Sequence, residues 1–437
     1  MKSEFTVDSD RQQATASEIE GAGAQEKVTL FSWLGQLSAK ERVTMRGCFG
    51  GWALDAMDVQ LYSLVIPTLV AAWSMTRSEA GMLATVALLL SAVGGCVVGY
   101  LCDRYGRVKM LQITIAFFAF FTFLSGFTTS YEQLFICRAL QGLGFGGEWA
   151  AGSVLMSEVV RARYRGRAVG FVQSGWSFGW AGAVLLYTLF FHFLPEHLAW
   201  RLLFMIGILP AFLVIYLRRF IDEPEVFQRV TKQKGEAGLF ANIMRAGVKG
   251  RIVMASVLTM GIQGSYYGVI TWLPTFLKTE RGLSVFNTGG YLLVIIIGNF
   301  LGFMIGAYLT DRIGRKRTFL VSAVYGIVIV YAYMYMPINN SLMLALGLPL
   351  GIASSLGYAP IGSFLTELFP TTIRATALGF TYNIGRAVGA IFPALVGFLS
   401  TTMPLGNAIG LFTIAGYTLM LIALCFLPET KGSELHN

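Results

Sequence analysis

The sequence predicts an all-α polytopic membrane protein, twelve transmembrane helices in two pseudo-symmetric six-helix halves. Three observations lead there. The 437 residues are 55% hydrophobic and only 13% charged, with mean hydropathy +0.63, too apolar for a water-soluble chain and with stretches long enough to cross a bilayer. Lys and Arg gather in alternate loops, around Arg104 to Lys109, Arg161 to Arg167, Arg218 to Arg251 and Arg312 to Arg317, whereas the opposite loops hold Arg77, Arg201, Lys278 and Arg281. And the chain repeats: Gly99-Tyr-Leu-Cys-Asp103-Arg104-Tyr-Gly106-Arg107 recurs as Ala307-Tyr-Leu-Thr-Asp311-Arg312-Ile-Gly314-Arg315. At an offset one residue longer Glu158, Arg165 and Gly170-Phe171 are matched by Glu367, Arg374 and Gly379-Phe380. Two parallel repeats, each with one copy of both motifs, account for this pattern.

Taken in order, residues 1–45 form a cytoplasmic N-terminal segment, polar and of mixed charge, unlike a cleaved signal peptide. Residues 1–26 are expected to be disordered and Val28 to Arg42 to form a short surface helix. Residues 46–217 form the N-terminal half, with spans near 46–70, 80–101, 110–128, 131–157, 168–191 and 201–217. A cytoplasmic linker at 218–251 contains Asp222-Glu223-Pro224-Glu225 and is too short for a folded catalytic domain. Residues 252–427 form the second half, with spans near 252–277, 288–309, 318–337, 341–363, 377–400 and 408–427, and 428–437 is a cytoplasmic tail. The positive-inside rule and the even number of spans place both termini in the cytoplasm, and the membrane is expected to be the inner membrane of a bacterium. The 50 glycines suit close helix approach. Pro67, Pro210, Pro274, Pro349, Pro360 and Pro393 fall inside spans, where a neighbour or cavity must satisfy the carbonyl each proline frees.

The formal charge of +9 sits in loops rather than on one face, so it marks topology and not nucleic-acid binding. The five cysteines have neither metal spacing nor an even count on the outer face. With no nucleophile–base constellation, phosphate loop or metal-ligand cluster, the sequence reads as a non-enzyme without cofactor or metal. Its partners are expected to be a small organic anion, protons and lipid, around a monomer.

The Gly-x-Leu-x-Asp-Arg-x-Gly-Arg turn after span 2, repeated after span 8, resembles the signature loop of the major facilitator superfamily. Glu158 with Arg165-Gly166-Arg167, Glu367 with Pro370 and Arg374, Trp200-Arg201 and Pro428-Glu429-Thr430-Lys431-Gly432 resemble its sugar-porter and metabolite:proton symporter branches. Asp55-Ala-Met-Asp58 looks like the Asp-Gly-x-Asp of aromatic-acid and sialic-acid symporters, with Ala56 in place of glycine. Gln141-Gly142 and Gly146-Gly147-Glu148-Trp149 look instead like the dicarboxylate, shikimate and betaine symporters. The resemblance covers essentially the whole chain and implies two six-helix halves around a cavity that opens alternately to either side, an arrangement for which this superfamily is itself a standard example.

Charged side chains at mid-bilayer cost roughly 2.5 kcal/mol or more, so those that occur mark a pathway or a structural pair. Asp55, Asp58, Arg138, Glu148 and Arg386 qualify. Asp55 and Asp58 share a helix face, where desolvation and mutual repulsion favour keeping one of them protonated; the alternative is a permanent pair with an arginine. Arg386 cannot be discharged and its fork matches a carboxylate, so it binds either an anionic substrate or one of the acids Asp55, Asp58 and Glu148. Arg138 sits where the superfamily's span-4 arginine does, which implies a proton-linked role beside simple pairing. Glu148 reads as a second proton site or as part of the inner gate. Gln173, Trp176, Gln263, Tyr266, Tyr267, Ser354, Tyr358, Tyr382 and Asn383 fall at comparable depth, and their rings, amides and hydroxyls suit a cyclic or polyhydroxylated acid as well as helix packing. Asp103, Arg104, Arg107, Glu158 and Arg165, with Asp311, Arg312, Arg315, Glu367 and Arg374 in the second copy, are either a gate clasping the halves or a solvated surface.

The function these readings favour is proton-coupled uptake of an aromatic or sugar-like carboxylic acid. A proton-linked exporter of drugs or metabolites is the alternative, against which Gly175 to Gly182 lacks a Gly-Pro pair resembling the antiporter motif. A transporter-like sensor is a third possibility.

Overall fold

The structure, a computed structural model, describes residues 32–161, 165–220, 248–370 and 374–431. The described residues up to Val43 belong to one unit and those from Thr44 onward to another. In the first, a helical turn Ser32–Gly35 precedes Ser38, which caps the next helix reciprocally with Glu41 (Ser38 N to Glu41 Oε2 2.7 Å; Glu41 N to Ser38 Oγ 3.2 Å). That helix, Ala39–Trp73, is span 1. It therefore begins well before residue 46, where apolar character alone had put it, and takes up part of the expected surface helix. Residues 1–31 and 221–247, with the expected disordered tail and linker helices, lie outside the described residues.

The remaining spans follow as Arg77–Tyr105, Arg107–Ser125, Tyr131–Val159 and Arg165–Phe193 (spans 2 to 5). Span 6 comprises Glu196–Ile206 and Leu209–Phe220. Lys249–Thr279, Val285–Ile313 and Arg315–Tyr335 are spans 7 to 9. Span 10 is Asn340–Leu356 with Ile361–Leu368, span 11 is Arg374–Gly389 with Ile391–Leu399, and span 12 is Leu405–Phe426. Among the described residues nine of these meet a length and hydropathy criterion for crossing a membrane. Spans 6 and 7 do not, since span 6 is split and span 7 carries many Gly and Thr residues with Gln263, and the side chains of span 4 are described continuously only over residues 131–147. The bundle's outer surface is apolar, with Phe193, Phe286, Phe398 and Phe426 each 65–73% exposed, a surface that lipid rather than water accommodates.

Duplication is visible atom by atom. Spans 2, 4, 8 and 10 begin at the end of the bundle opposite the charged turns, capped by Thr76, Ser130, Ser284 and Asn339, each accepting from a backbone N–H three residues on. At the other end both charged turns pivot on a glycine in the same unusual conformation, Gly106 at φ 105° and Gly314 at φ 102°, where a side chain would be strained. Between these ends span 2 packs on span 4 as span 8 packs on span 10. A Cβ on Gly142 would stand 2.1 Å from Ala87 O, and one on Gly351 1.9 Å from Ile295 O. One step along, Ser91 O leaves no room for a Cβ on Gly146, whereas in the second repeat Ser355 fills the matching place and donates its hydroxyl to Asn299 O at 2.6 Å.

The repeats meet through spans 2 with 11 and 5 with 8, two contacts that exchange under the repeat symmetry. Thr85 Oγ1 donates to Ala390 O (2.7 Å) and accepts from Ala394 N (3.2 Å), and Ser177 Oγ donates to Asn299 Oδ1 (2.8 Å). Toward the end opposite the charged turns, Gly81 abuts Pro393 and Gly397 abuts Arg77. Lys278 and Glu196 pair there at 3.5 Å, an exposed contact of little energetic weight. Toward the charged turns, a Cβ on Gly99 of span 2 would meet open space.

Candidate functional site

The breaks in spans 10 and 11 build the site. Span 10 stops at Leu356, the chain turns through Gly357-Tyr358-Ala359-Pro360, and the helix resumes at Ile361; the turn sets the Tyr358 ring 5.3 Å from that of Tyr266 on span 7. Four residues before the break in span 11 lies Arg386, 1% exposed. Its Nε donates to Gln263 Oε1 and its Nη2 to Tyr382 OH, both at 3.4 Å. The guanidinium also stands over the Phe145 ring at 5.4 Å and the Tyr382 ring at 5.0 Å. Nη1 has no hydrogen-bond partner. Gln263 is held for this task, because its amide nitrogen donates to Tyr382 O at 3.0 Å and so turns Oε1 toward Arg386.

Aromatic rings extend from Arg386 across the repeat boundary. Trp52 lies 5.1 Å from Trp176 and 6.4 Å from Phe145 between centroids, Trp176 Nε1 donates to Tyr266 OH, and Tyr266 meets Tyr267 edge-on at 5.5 Å. Trp176, Tyr266, Tyr267 and Phe145 line a cavity that continues to Gln60, Arg138 and Gln141. The cavity has about 20 Å³ of room, enough for a water molecule but not for a ring. Asn383 turns aside, donating to Gly379 O at 2.9 Å. Gln173 is half-buried on span 5.

A second charged group lies between spans 1, 3 and 4. Asp58 and Arg138, 2% and 3% exposed, interact electrostatically, with the Thr122 hydroxyl beside the carboxyl. Arg138 Nη1 donates to Gln141 Oε1 at 2.6 Å, and the guanidinium lies 4.6 Å over Tyr62. Tyr62 in turn is fixed by donation to Ala80 O at 2.6 Å. Asp58 thus lies in the electrostatic field of Arg138 without an ion pair within 4.0 Å between them, while the neighbours of Arg386 are an amide and tyrosines. The Arg386–Asp58 pairing considered from sequence is not what forms. Asp55, 1% exposed, is buried on the same helix.

Of the charged turns, the second is described most fully. Arg315 Nη2 donates to Glu367 Oε1 at 2.7 Å, and Glu367 Oε2 accepts from Thr430 Oγ1 at 2.6 Å. Glu429 accepts from the N–H groups of Arg315 (2.9 Å) and Lys316 (3.2 Å), capping span 9. Lys431 Nζ donates to Arg312 O at 2.7 Å. Every member belongs to the second repeat, so this cluster ties spans 8, 9 and 10 to the segment after span 12 rather than joining the two repeats. Burial works against the Glu429 carboxylate, but the backbone N–H groups of Lys431, Arg315, Lys316 and Thr430 outweigh it and hold its pKa below the ordinary value. Asp311 is exposed and Arg312 Nη1 donates to Tyr308 OH at 2.9 Å. Arg104 is exposed, its guanidinium 5.6 Å over Tyr105. The side chains of Asp103, Arg107, Glu148, Glu158, Arg165 and Arg374 lie outside the described residues.

Sequence reasoning passed over Gln60, Thr85 and Phe145 as site or interface residues. Gln60 carried a usable signal, being a carboxamide two residues after Asp58 in an apolar span; Thr85 and Phe145 are ordinary residues that only packing singles out.

The model of the Major Facilitator Superfamily matches residues 48–393 and 297–436. The chain belongs to this superfamily. It is an integral membrane transporter of small organic substrates and not an enzyme, with the twelve-helix fold of that family. The transporter is 40% identical over 408 residues, 93% of this chain and 95% of the relative, to a probable 4-methylmuconolactone transporter of Cupriavidus pinatubonensis. It is 31% identical over 371 residues, 83% of this chain and 88% of the relative, to a cis,cis-muconate transport protein of Acinetobacter baylyi. Among solved structures, the inward-open xylose transporter XylE of Escherichia coli superposes with TM-score 0.73 at 18% identity, over 90% of this chain and 97% of that one, a likeness of fold.

Proposed function

We propose that this transporter couples proton movement to uptake of a small, flat organic anion by alternating access, in a bacterial inner membrane with both termini cytoplasmic. The observation that carries the reading is the Arg386 guanidinium: fully buried, permanently charged, faced by rings and amides, and with one N–H edge unfilled. A carboxylate is the partner that matches its charge and fork, and the rings of Phe145, Trp176 and Tyr266 suit an unsaturated body. The substrates named for the two relatives, a muconolactone and a muconate, are small unsaturated organic acids, in keeping with that chemistry.

Proton coupling falls to Asp58. While ionised it balances Arg138 across spans 1 and 4; once protonated it loosens its hold, and the spans are free to rearrange as substrate enters from outside. Proton loss after the cavity opens to the cytoplasm restores the pair and favours release. The described repeats touch at mid-depth and at the end opposite the charged turns, which fits a conformer closed to the outside.

The test is uptake of cis,cis-muconate and benzoate into proteoliposomes under an inward proton gradient. Accumulation that collapses with a protonophore is expected. Arg386→Gln should abolish binding and uptake while the protein elutes and melts as the parent does, and Arg386→Lys should recover little. Full binding affinity in Arg386→Gln would overturn the substrate-contact role.

A further inference from the structure

Gln60 is a polar side chain of the cavity that belongs neither to the Arg386 group nor to the Asp58–Arg138 group. It is 0% exposed, it lines the cavity beside Gln141, Phe145 and Trp176, and neither end of its carboxamide has a hydrogen-bond partner. A buried amide left unmet at both ends is costly, so it marks a place where a partner arrives. Gln141, in contrast, is already occupied in accepting from Arg138.

The cavity meets the Arg386 group through Phe145, which lines it and underlies the guanidinium. Gln60 adds a carboxamide with one donor and one acceptor group to the same wall, which Trp176, Tyr266 and Tyr267 share. Resting on the reading that Arg386 holds the substrate's carboxylate, we propose that Gln60 reads the far end of the acid, and that it selects a group which both donates and accepts: a hydroxyl, or an un-ionised carboxyl that pairs with the carboxamide through two hydrogen bonds. Gln60 is then a specificity-determining residue. A purely apolar far end leaves the amide unmet and is discriminated against, because a site built to hydrogen-bond a substrate group rejects the analogue lacking it.

Three acids of one shape test this by calorimetric binding to the purified transporter: benzoate, whose far end is apolar, 4-methoxybenzoate, which only accepts, and 4-hydroxybenzoate, which donates and accepts. The wild type should bind the hydroxy acid at least about tenfold more tightly than benzoate, with the methoxy acid between them. Gln60→Met, of like length but without the amide, should bring the ratio of the hydroxy acid to benzoate near one. Equal binding of the three acids by the wild type, or an unchanged ratio in Gln60→Met, would overturn the role of Gln60, with water then meeting the amide's needs. The wild-type series decides the matter even where Gln60→Met does not purify folded. Failure of the reading beneath it looks different: the wild type would bind none of the acids, or Arg386→Gln would bind all three as the wild type does.

Discussion

Thr85→Val should open the transporter at the end opposite its charged turns. The Thr85 hydroxyl reaches from span 2 of the first repeat into span 11 of the second, and it occupies the place of a helix rung: it donates to Ala390 O at 2.7 Å and accepts from Ala394 N at 3.2 Å, the two groups that would otherwise bond each other. Pro393 lacks an N–H and so frees the carbonyl of Gly389 as well, and the helix breaks at Ala390. Valine keeps the shape and removes both hydrogen bonds, leaving a buried carbonyl and N–H facing a methyl group. Two such bonds contribute about 1 kcal/mol each, so the closed arrangement should lose about 2 kcal/mol relative to one in which the repeats part and span 11 closes its own ladder. That is about 30-fold in the equilibrium between the two. Spin labels on exposed Ala72 and Thr401, at that end of spans 1 and 11, report the separation by double electron–electron resonance. The long-distance population should rise in Thr85→Val and stay near the wild-type value in Thr85→Ser, which keeps the hydroxyl. A wild-type distribution in the folded valine variant would show that the inserted hydroxyl does not hold the repeats together.

Two further variants probe coupling and the charged turn. Asp58→Asn should eliminate gradient-driven accumulation while counterflow of substrate survives, since the amide imitates the protonated acid. Because Arg138 loses its counter-charge, melting temperature must be measured alongside, and proton uptake at the wild-type level in the folded variant would move the assignment to Glu148. Glu429, whose pKa is held below its ordinary value of 4.5 by backbone N–H groups, stabilises the capped start of span 9 above that value and ceases to do so as pH falls through the lowered one. Amide exchange at Arg315 and Lys316 should therefore be slow at neutral pH and accelerate on acidification, beyond its intrinsic pH dependence. In Glu429→Gln the acid-dependent increment should vanish, and an increment of wild-type size there would refute the capping role.

The sequence by itself determined the membrane class, the duplication and the positions of the charged turns, because these depend on local composition and on residues repeating in order. Gly106 and Gly314 share a motif, and the structure shows both turns pivoting on them. The sequence also isolated Asp58, Arg138 and Arg386, since any charge within an apolar span stands out against the cost of burying it. What it could not assign was who faces whom. Arg386 and Asp58 can both reach mid-membrane, yet Asp58 lies in the field of Arg138 from span 4, whereas Arg386 faces Gln263 and Tyr382. Depth along one helix fixes only one coordinate; rotation and the neighbouring helix fix the other two. Likewise Glu367 and Arg315 read as parts of a clasp between halves, and packing joined them within one repeat, with Thr430 and Glu429 completing the cluster from beyond span 12. Thr85 carried least signal in the sequence, and Gln60 only that of a carboxamide in an apolar span. A hydroxyl that replaces a rung of another helix, and an amide that waits beside an aromatic cavity, acquire their meaning only when the helices that surround them have come together.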